Sequence, residues 1–119
     1  MDSERYEIPP AAADAVAAAK TRGGRVLAVG STSARTLETC ADEATGAVRA
    51  GSGRSALFIH PPYKFKTVDM MLTNFHLPCS TLIMMVSALA GREFILRAYA
   101  EAVAQRYRFF SYGDCMLIK

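Results

Sequence analysis

The stretch Arg25-Val-Leu-Ala-Val-Gly-Ser-Thr-Ser-Ala-Arg-Thr-Leu-Glu38 decides the fold class of this 119-residue chain. Its first half is a short apolar run stopped by Gly30, the pattern of a buried strand. Ser31, Thr32 and Ser33 then offer hydroxyls to cap a helix. Within that helix Ala34, Leu37, Cys40, Ala41 and Ala44 recur at helical spacing, with Arg35, Glu38 and Asp42 interleaved on the polar side. Upstream, Pro9-Pro10 opens an alanine-rich helix over residues 11–22, closed by Gly23-Gly24. Helix, strand and helix in this order predict an α/β layer and leave the strand order open.

Downstream, Gly46, Gly51 and Gly53 mark residues 45–55 as turns, with room for a short strand at Val48. Ala56-Leu-Phe-Ile59 reads as a second buried strand, ended by His60-Pro61-Pro62, and residues 70–75 as a third extended segment. Ser80 is placed to cap a core helix running to Ala90. After Gly91 an amphipathic helix follows over residues 92–106, with Phe94, Ile95, Ala98, Ala102 and Val103 inward. Residues 115–118 close the chain as a strand. The expectation is one α/β unit over residues 1–119, a small sheet of short buried strands packed with about four helices.

Composition narrows the classes without choosing among them. The net charge of +3 permits phosphate contact but does not require it. Cys40, Cys79 and Cys115 are odd in number and form no C-x-x-C pair, so neither a zinc site nor a redox couple is indicated, and reduced thiols in a cytoplasmic protein are expected. The opening residues are too polar for a signal peptide, and the apolar run at residues 82–90 falls short of the ~20 residues of a membrane helix. Phosphate-loop, dinucleotide, zinc-protease and nucleophile-elbow motifs are missing.

Three segments can carry chemistry. Ser31, Thr32, Ser33 and Arg35 stand at a strand-to-helix junction, where exposed amides and dipole favour an anion; the same residues also serve as an ordinary cap and a surface arginine. Asn74 and His76 stand in the loop before the core helix. His76 suits proton transfer near neutral pH and Asn74 polar recognition, while both also suit loop hydrogen bonding. Arg106-Tyr-Arg-Phe-Phe-Ser-Tyr-Gly-Asp114 sets Arg106 and Arg108 among aromatics, a pattern for RNA phosphate and base stacking, with Phe109 and Phe110 also serving as core.

Taken with Thr73-Asn-Phe-His-Leu-Pro-Cys-Ser-Thr-Leu-Ile83 and the intervening Phe65-Lys66 and Ser87-Ala88, these blocks resemble the S-adenosylmethionine:tRNA ribosyltransferase-isomerase family of queuosine biosynthesis. The resemblance runs nearly end to end but corresponds to the C-terminal third of family members. It implies a larger α/β domain of which this is one part, without the N-terminal portion and an inserted β-barrel domain. It implies transfer and isomerisation of the ribosyl moiety of S-adenosylmethionine onto 7-aminomethyl-7-deazaguanine in a queuosine-type tRNA anticodon, giving epoxyqueuosine. S-adenosylmethionine is then a co-substrate, and neither cofactor nor metal is implied. On that footing His76 and Asn74 are the catalytic candidates. Ser31, Thr32, Ser33, Arg35, Tyr112 and Asp114 are substrate-binding candidates, and Arg106 and Arg108 RNA-binding ones. Asp2 stands where the family usually has histidine, Ser31 where it has threonine, and His60-Pro61-Pro62 where it has tyrosine, proline and glycine. The expected state is an incomplete site, completed by the missing portion. The alternatives are a tRNA- or nucleoside-binding module without turnover, and a self-associating remnant.

Overall fold

The computed structural model describes residues 4–42, 44–74, 81–106 and 115–118. The order is β1 (Glu4–Ile8), α1 (Pro10–Thr21), β2 (Leu27–Val29), α2 (Ser31–Thr39), β3 (Gly51–Ser55), β4 (Met70–Asn74), α3 (Thr81–Ala90), α4 (Arg92–Ala104) and β5 (Cys115–Ile118). It is an α/β fold with four helices and two small sheets among the described residues, as the sequence predicts in class.

The three apolar strands form one sheet in the order β2-β4-β5. β2 and β4 are parallel, pairing Leu27 with Met70 and Val29 with Leu72; β5 is antiparallel to β4, pairing Leu72 with Leu117. Alternation then sends Ala28, Met71, Thr73 and Ile118 to one face, all buried. There Ala28, Met71 and Ile118 join Ile83, Met85 and Val86 of α3 and Ile95, Tyr99 and Ala102 of α4 in one core. The opposite face keeps apolar side chains in view: Val29 is 61% exposed and Leu117 50%.

Several expectations are corrected. Residues 4–8, read as merely polar, form β1 and pair antiparallel with β3, from Glu4 opposite Ser55 to Ile8 opposite Gly51. The glycine-rich residues 51–55 are therefore a strand, and 56–59 are not. The carbonyls of Ser55 and Leu57 are instead taken by the guanidinium of Arg35, at 3.3 and 3.2 Å. A side chain thus does there what a neighbouring strand would do. The helix α2 stops at Thr39, since Ala41 bridges to Val48. On α4 the inner stripe is Ile95, Tyr99 and Ala102; Phe94 and Val103 are exposed at 57% and 63%. Ser80 lies outside the described residues.

Two charged residues of α2, one helical turn apart, anchor the fold from within. Arg35, 4% exposed, pairs with the Glu4 carboxylate besides binding the two carbonyls. Glu38 is fully buried. Its Oε1 accepts from the Tyr63 hydroxyl at 2.9 Å and the Lys66 amide at 2.7 Å, its Oε2 from the amides of Thr67 and Val68 at 2.9 and 3.0 Å. The segment leading into β4 is thereby fixed to α2. From the other side Lys20, at the end of α1, donates to the Thr67 carbonyl at 2.8 Å and meets Asp69 at 3.3 Å. Asp69 in turn receives the Val26 amide at 2.8 Å, setting the start of β2 beside β4.

Candidate functional site

Parallel β2 and β4 end side by side, and α2 begins one residue after β2. Ligands gather at such carboxyl ends because the following helix presents amides that have no helical partner of their own. Gly30 makes the turn with φ of 93°, and its amide donates to the Leu72 carbonyl at 2.8 Å, clamping the turn to β4. A Cβ at Gly30 would meet nothing within 4 Å, so the need for glycine is conformational rather than spatial.

Gly30, not a hydroxyl-bearing residue, occupies the cap of α2, and no side chain caps that helix. The capping role expected of Ser31, Thr32 and Ser33 is therefore corrected: all three stand inside the first turn. They line a cleft of about 380 Å3 together with Val29 and Gly30, with Leu72, Thr73 and Asn74 from the end of β4, and with Cys115 from the start of β5. Thr32, Ser33 and Asn74 are exposed. The cleft thus offers uncapped helix amides, three hydroxyls and a carboxamide, a set that suits an anion beside a polar group. Gly30→Ala should cost about 1–3 kcal/mol by forcing a Cβ into backbone (φ 93°, ψ 150°) that glycine alone adopts readily. A urea midpoint unchanged by that substitution would show that the turn tolerates another conformation.

The structure brings together two segments that are forty residues apart in sequence: the serine-threonine turn and Asn74. It places Arg35 elsewhere. That side chain runs into the interior, holds Glu4, Ser55 and Leu57, and does not line the cleft. Arg106 lies just past α4 in left-handed backbone, φ 60°, its amide donating to the Val103 carbonyl at 3.1 Å. It is exposed and away from the cleft lining. His76, Arg108, Tyr112 and Asp114 lie outside the described residues. By sequence, His76 follows Asn74 by two positions and Asp114 directly precedes Cys115.

A second concavity, about 550 Å3, lies between β1 and β2 and is lined by residues 5–9, Leu27, Ala28, Val29 and part of α2. Tyr6 stands on it. Hydrogen bonding to Cys40 holds the Tyr6 phenol above its ordinary value of 10.0; the charge of the Cys40 sulfur and burial push the same way, and Arg49 pulls back. Among the described residues no group of histidine, cysteine and carboxylate side chains could hold a metal ion, and no helix is long and apolar enough to cross a membrane. Glu38, interleaved with the apolar positions of α2 in the sequence reading, is buried and ties residues 66–68 to α2 without lining the cleft.

Comparison with known proteins places the whole chain. The family described as queuosine biosynthesis protein matches residues 1–118. An S-adenosylmethionine:tRNA ribosyltransferase-isomerase of Symbiobacterium thermophilum is 62% identical over 118 residues, covering 99% of this chain and 34% of the relative. The enzyme of the same name from Geobacter sulfurreducens is 58% identical with the same coverage, and that of Thiobacillus denitrificans 59% identical over 119 residues. The crystal structure of an S-adenosylmethionine tRNA ribosyltransferase from Thermotoga maritima superposes with a TM-score of 0.87 at 47% identity, over 97% of this chain and 40% of that one. The chain therefore spans about a third of the length of the curated relatives it matches.

Proposed function

Because the chain belongs to the queuosine biosynthesis protein family, we propose that it supplies part of the S-adenosylmethionine site of a tRNA ribosyltransferase-isomerase and does not turn over alone. The observation that carries this is the convergence of the uncapped α2 amides, Ser31, Thr32, Ser33 and Asn74 on one cleft at the ends of β2 and β4. The methionine carboxylate of the co-substrate suits the amides and hydroxyls, since negative charge at a helix N-terminus is stabilised by about 0.3–1 kcal/mol, more where partly buried. Asn74 is assigned to polar recognition beside it, and His76, two residues on, to proton transfer.

The reaction assigned is the one the resemblance implies: the ribosyl group of S-adenosylmethionine passes to the aminomethyl nitrogen of 7-aminomethyl-7-deazaguanine in tRNA and isomerises to epoxyqueuosine. Adenine and methionine leave. Arg106 and Arg108 are assigned to phosphates of the queuosine-type anticodon arm, and Tyr112 and Asp114 to substrate contact. Such a transfer depends on holding two large substrates in a productive geometry, worth several kcal/mol of barrier. A chain spanning about a third of its relatives carries only some of the positioning groups. A soluble, cytoplasmic setting accords with tRNA as the partner.

Two measurements test the proposal. Titrating S-adenosylmethionine into this chain should shift the amide resonances of residues 29–33 and 72–74 and leave those of α4 in place. Perturbation elsewhere, or none at millimolar ligand, would remove the cleft from the site. Adenine release with precursor-bearing tRNA should not exceed a protein-free control. Release above that control would mean that this chain holds the catalytic groups and that the rest of the family's length is accessory.

A further inference from the structure

The ribbon of β1 and β3 has an outer face that the cleft does not use. Glu4 reaches Arg35, and the Ser55 hydroxyl lies 2.6 Å from that of Thr39, so both side chains face α2. Neighbours along a strand point the other way. Arg5, Glu7, Ser52 and Arg54 therefore share the outer face, and all four are exposed. The register sets Arg5 directly opposite Arg54. Like charges so placed are destabilising, and an anion shared between two guanidinium groups relieves the repulsion. Glu7, opposite Ser52, is the acidic side chain on that face of the ribbon, against two arginines.

The outer stripe continues past the end of β3. Arg35 takes the carbonyls of Ser55 and Leu57, two residues apart, which holds the chain there extended. Burial alternates accordingly: Ser55 and Ile59 are buried and Leu57 half-buried, while Arg54, Ala56, Phe58 and His60 are exposed. The rings of Phe58 and His60 meet with centroids 5.0 Å apart, tilted by 54°. His60 donates from Nδ1 to the Pro61 carbonyl at 2.8 Å, which fixes the imidazole. Phe58 is 43% exposed and stands outside the core, so much of its ring is left to solvent. At ~3.3 Å per residue the stripe from Arg54 to His60 is roughly 20 Å long.

Two opposed guanidinium groups followed by a fixed pair of rings suit a ligand that is both anionic and planar. Phosphates meet the charge, and unpaired bases stack on the rings. We propose that this stripe binds an unpaired RNA loop, with Arg5 and Arg54 on backbone phosphates and Phe58 with His60 stacking a base. The inference rests on tRNA being the partner, and adds to it a contact surface apart from the cleft, which none of these four residues lines. A duplex fits less well, because its bases are already stacked on one another and offer the rings no open face. An acidic protein segment would meet the arginines and leave the ring pair without a planar partner.

Fluorescence anisotropy of a labelled anticodon stem-loop RNA, titrated with this chain, tests the inference. Arg5→Ala combined with Arg54→Ala should weaken binding roughly tenfold or more at low salt. The same pair should make the fall of log affinity with log salt shallower by about 1.4, the contribution of two phosphate contacts on a single strand. Phe58→Ala should weaken binding roughly fivefold or more with the salt slope unchanged, and Phe58→Tyr should keep most of the affinity. Arg92→Ala with Arg97→Ala removes the same charge from the exposed side of α4 and should change neither quantity. Circular dichroism of every variant should match the parent, since all these side chains are exposed. Equal losses from the two arginine pairs would reduce the effect to net charge and overturn the proposal. So would a Phe58→Ala variant that binds like the parent, or a fully paired RNA of equal length that binds as tightly as the stem-loop. RNA binding that no substitution in the stripe alters sinks this face alone. A parent chain that binds no RNA at about 100 µM, the weak end of non-specific binding, sinks the tRNA reading together with it.

Discussion

Glu38→Ala should remove about 4–5 kcal/mol of stability, because it strips a buried acceptor from three backbone amides and a hydroxyl at once. The carboxylate receives Tyr63, Lys66, Thr67 and Val68 at 2.7 to 3.0 Å, and Thr67 and Val68 are themselves buried. Water cannot replace it at those two amides without opening the core. Against a typical total of ~5–15 kcal/mol for a domain, the loss leaves little margin. Glu38→Gln keeps the volume but turns an amide NH2 toward N–H donors, so it should lose about half as much. Urea denaturation followed by circular dichroism measures both. If Glu38→Ala falls within about 1 kcal/mol of the parent, the carboxylate is not the anchor of residues 66–68.

That same residue shows where sequence reasoning reaches its end. Periodicity located α2 because Ala34 and Leu37 recur at helical spacing, and from that alone Arg35 and Glu38 read as the solvent side. In the fold they are among its most buried residues, while Leu37 is only half-buried. A hydropathy pattern assumes that charge seeks water, and it fails where a charge is buried with enough partners to replace water. Those partners, Glu4 and the carbonyls of Ser55 and Leu57 for one, the 66–68 amides for the other, lie twenty to thirty residues away. No local window contains them.

The strands divide along the same line. β2, β4 and β5 are apolar runs bounded by glycine or turn residues, and local pattern suffices to find them. β1 and β3 are polar or glycine-rich, and each is a strand chiefly because the other lies beside it. The cleft was half legible. Its serine-threonine turn follows from a strand, a glycine and a helix in sequence, and Asn74 from a loop before a helix. That both line one cleft depends on β2 lying parallel to β4, a fact of topology.

Arg35 and Asn74 should therefore fail in opposite ways when replaced. Arg35→Ala deprives Glu4 of its partner and leaves the carbonyls of Ser55 and Leu57 without the donors they now have. Glu4 is 47% exposed and can regain water, so the ion pair itself contributes little. The buried carbonyl bonds and the vacated volume carry the cost, about 2–4 kcal/mol. Arg35→Lys keeps the charge but not the planar fork that reaches three acceptors, so it should recover only part of the loss. Asn74→Ala, at an exposed position lining the cleft, should shift the urea midpoint by no more than about 0.5 kcal/mol. Installed at the matching positions of a full-length relative, the two should separate in kinetics as well. The Arg35 variant should lose activity in proportion to its unfolded fraction, with KM for S-adenosylmethionine unchanged. The Asn74 variant should stay folded and lose at least tenfold in kcat/KM. A folded Arg35 variant with a raised KM would return that guanidinium to the substrate. An Asn74 variant with unchanged kcat/KM would remove the carboxamide from the site and leave the α2 amides and the Ser31, Thr32 and Ser33 hydroxyls as the cleft's polar contribution.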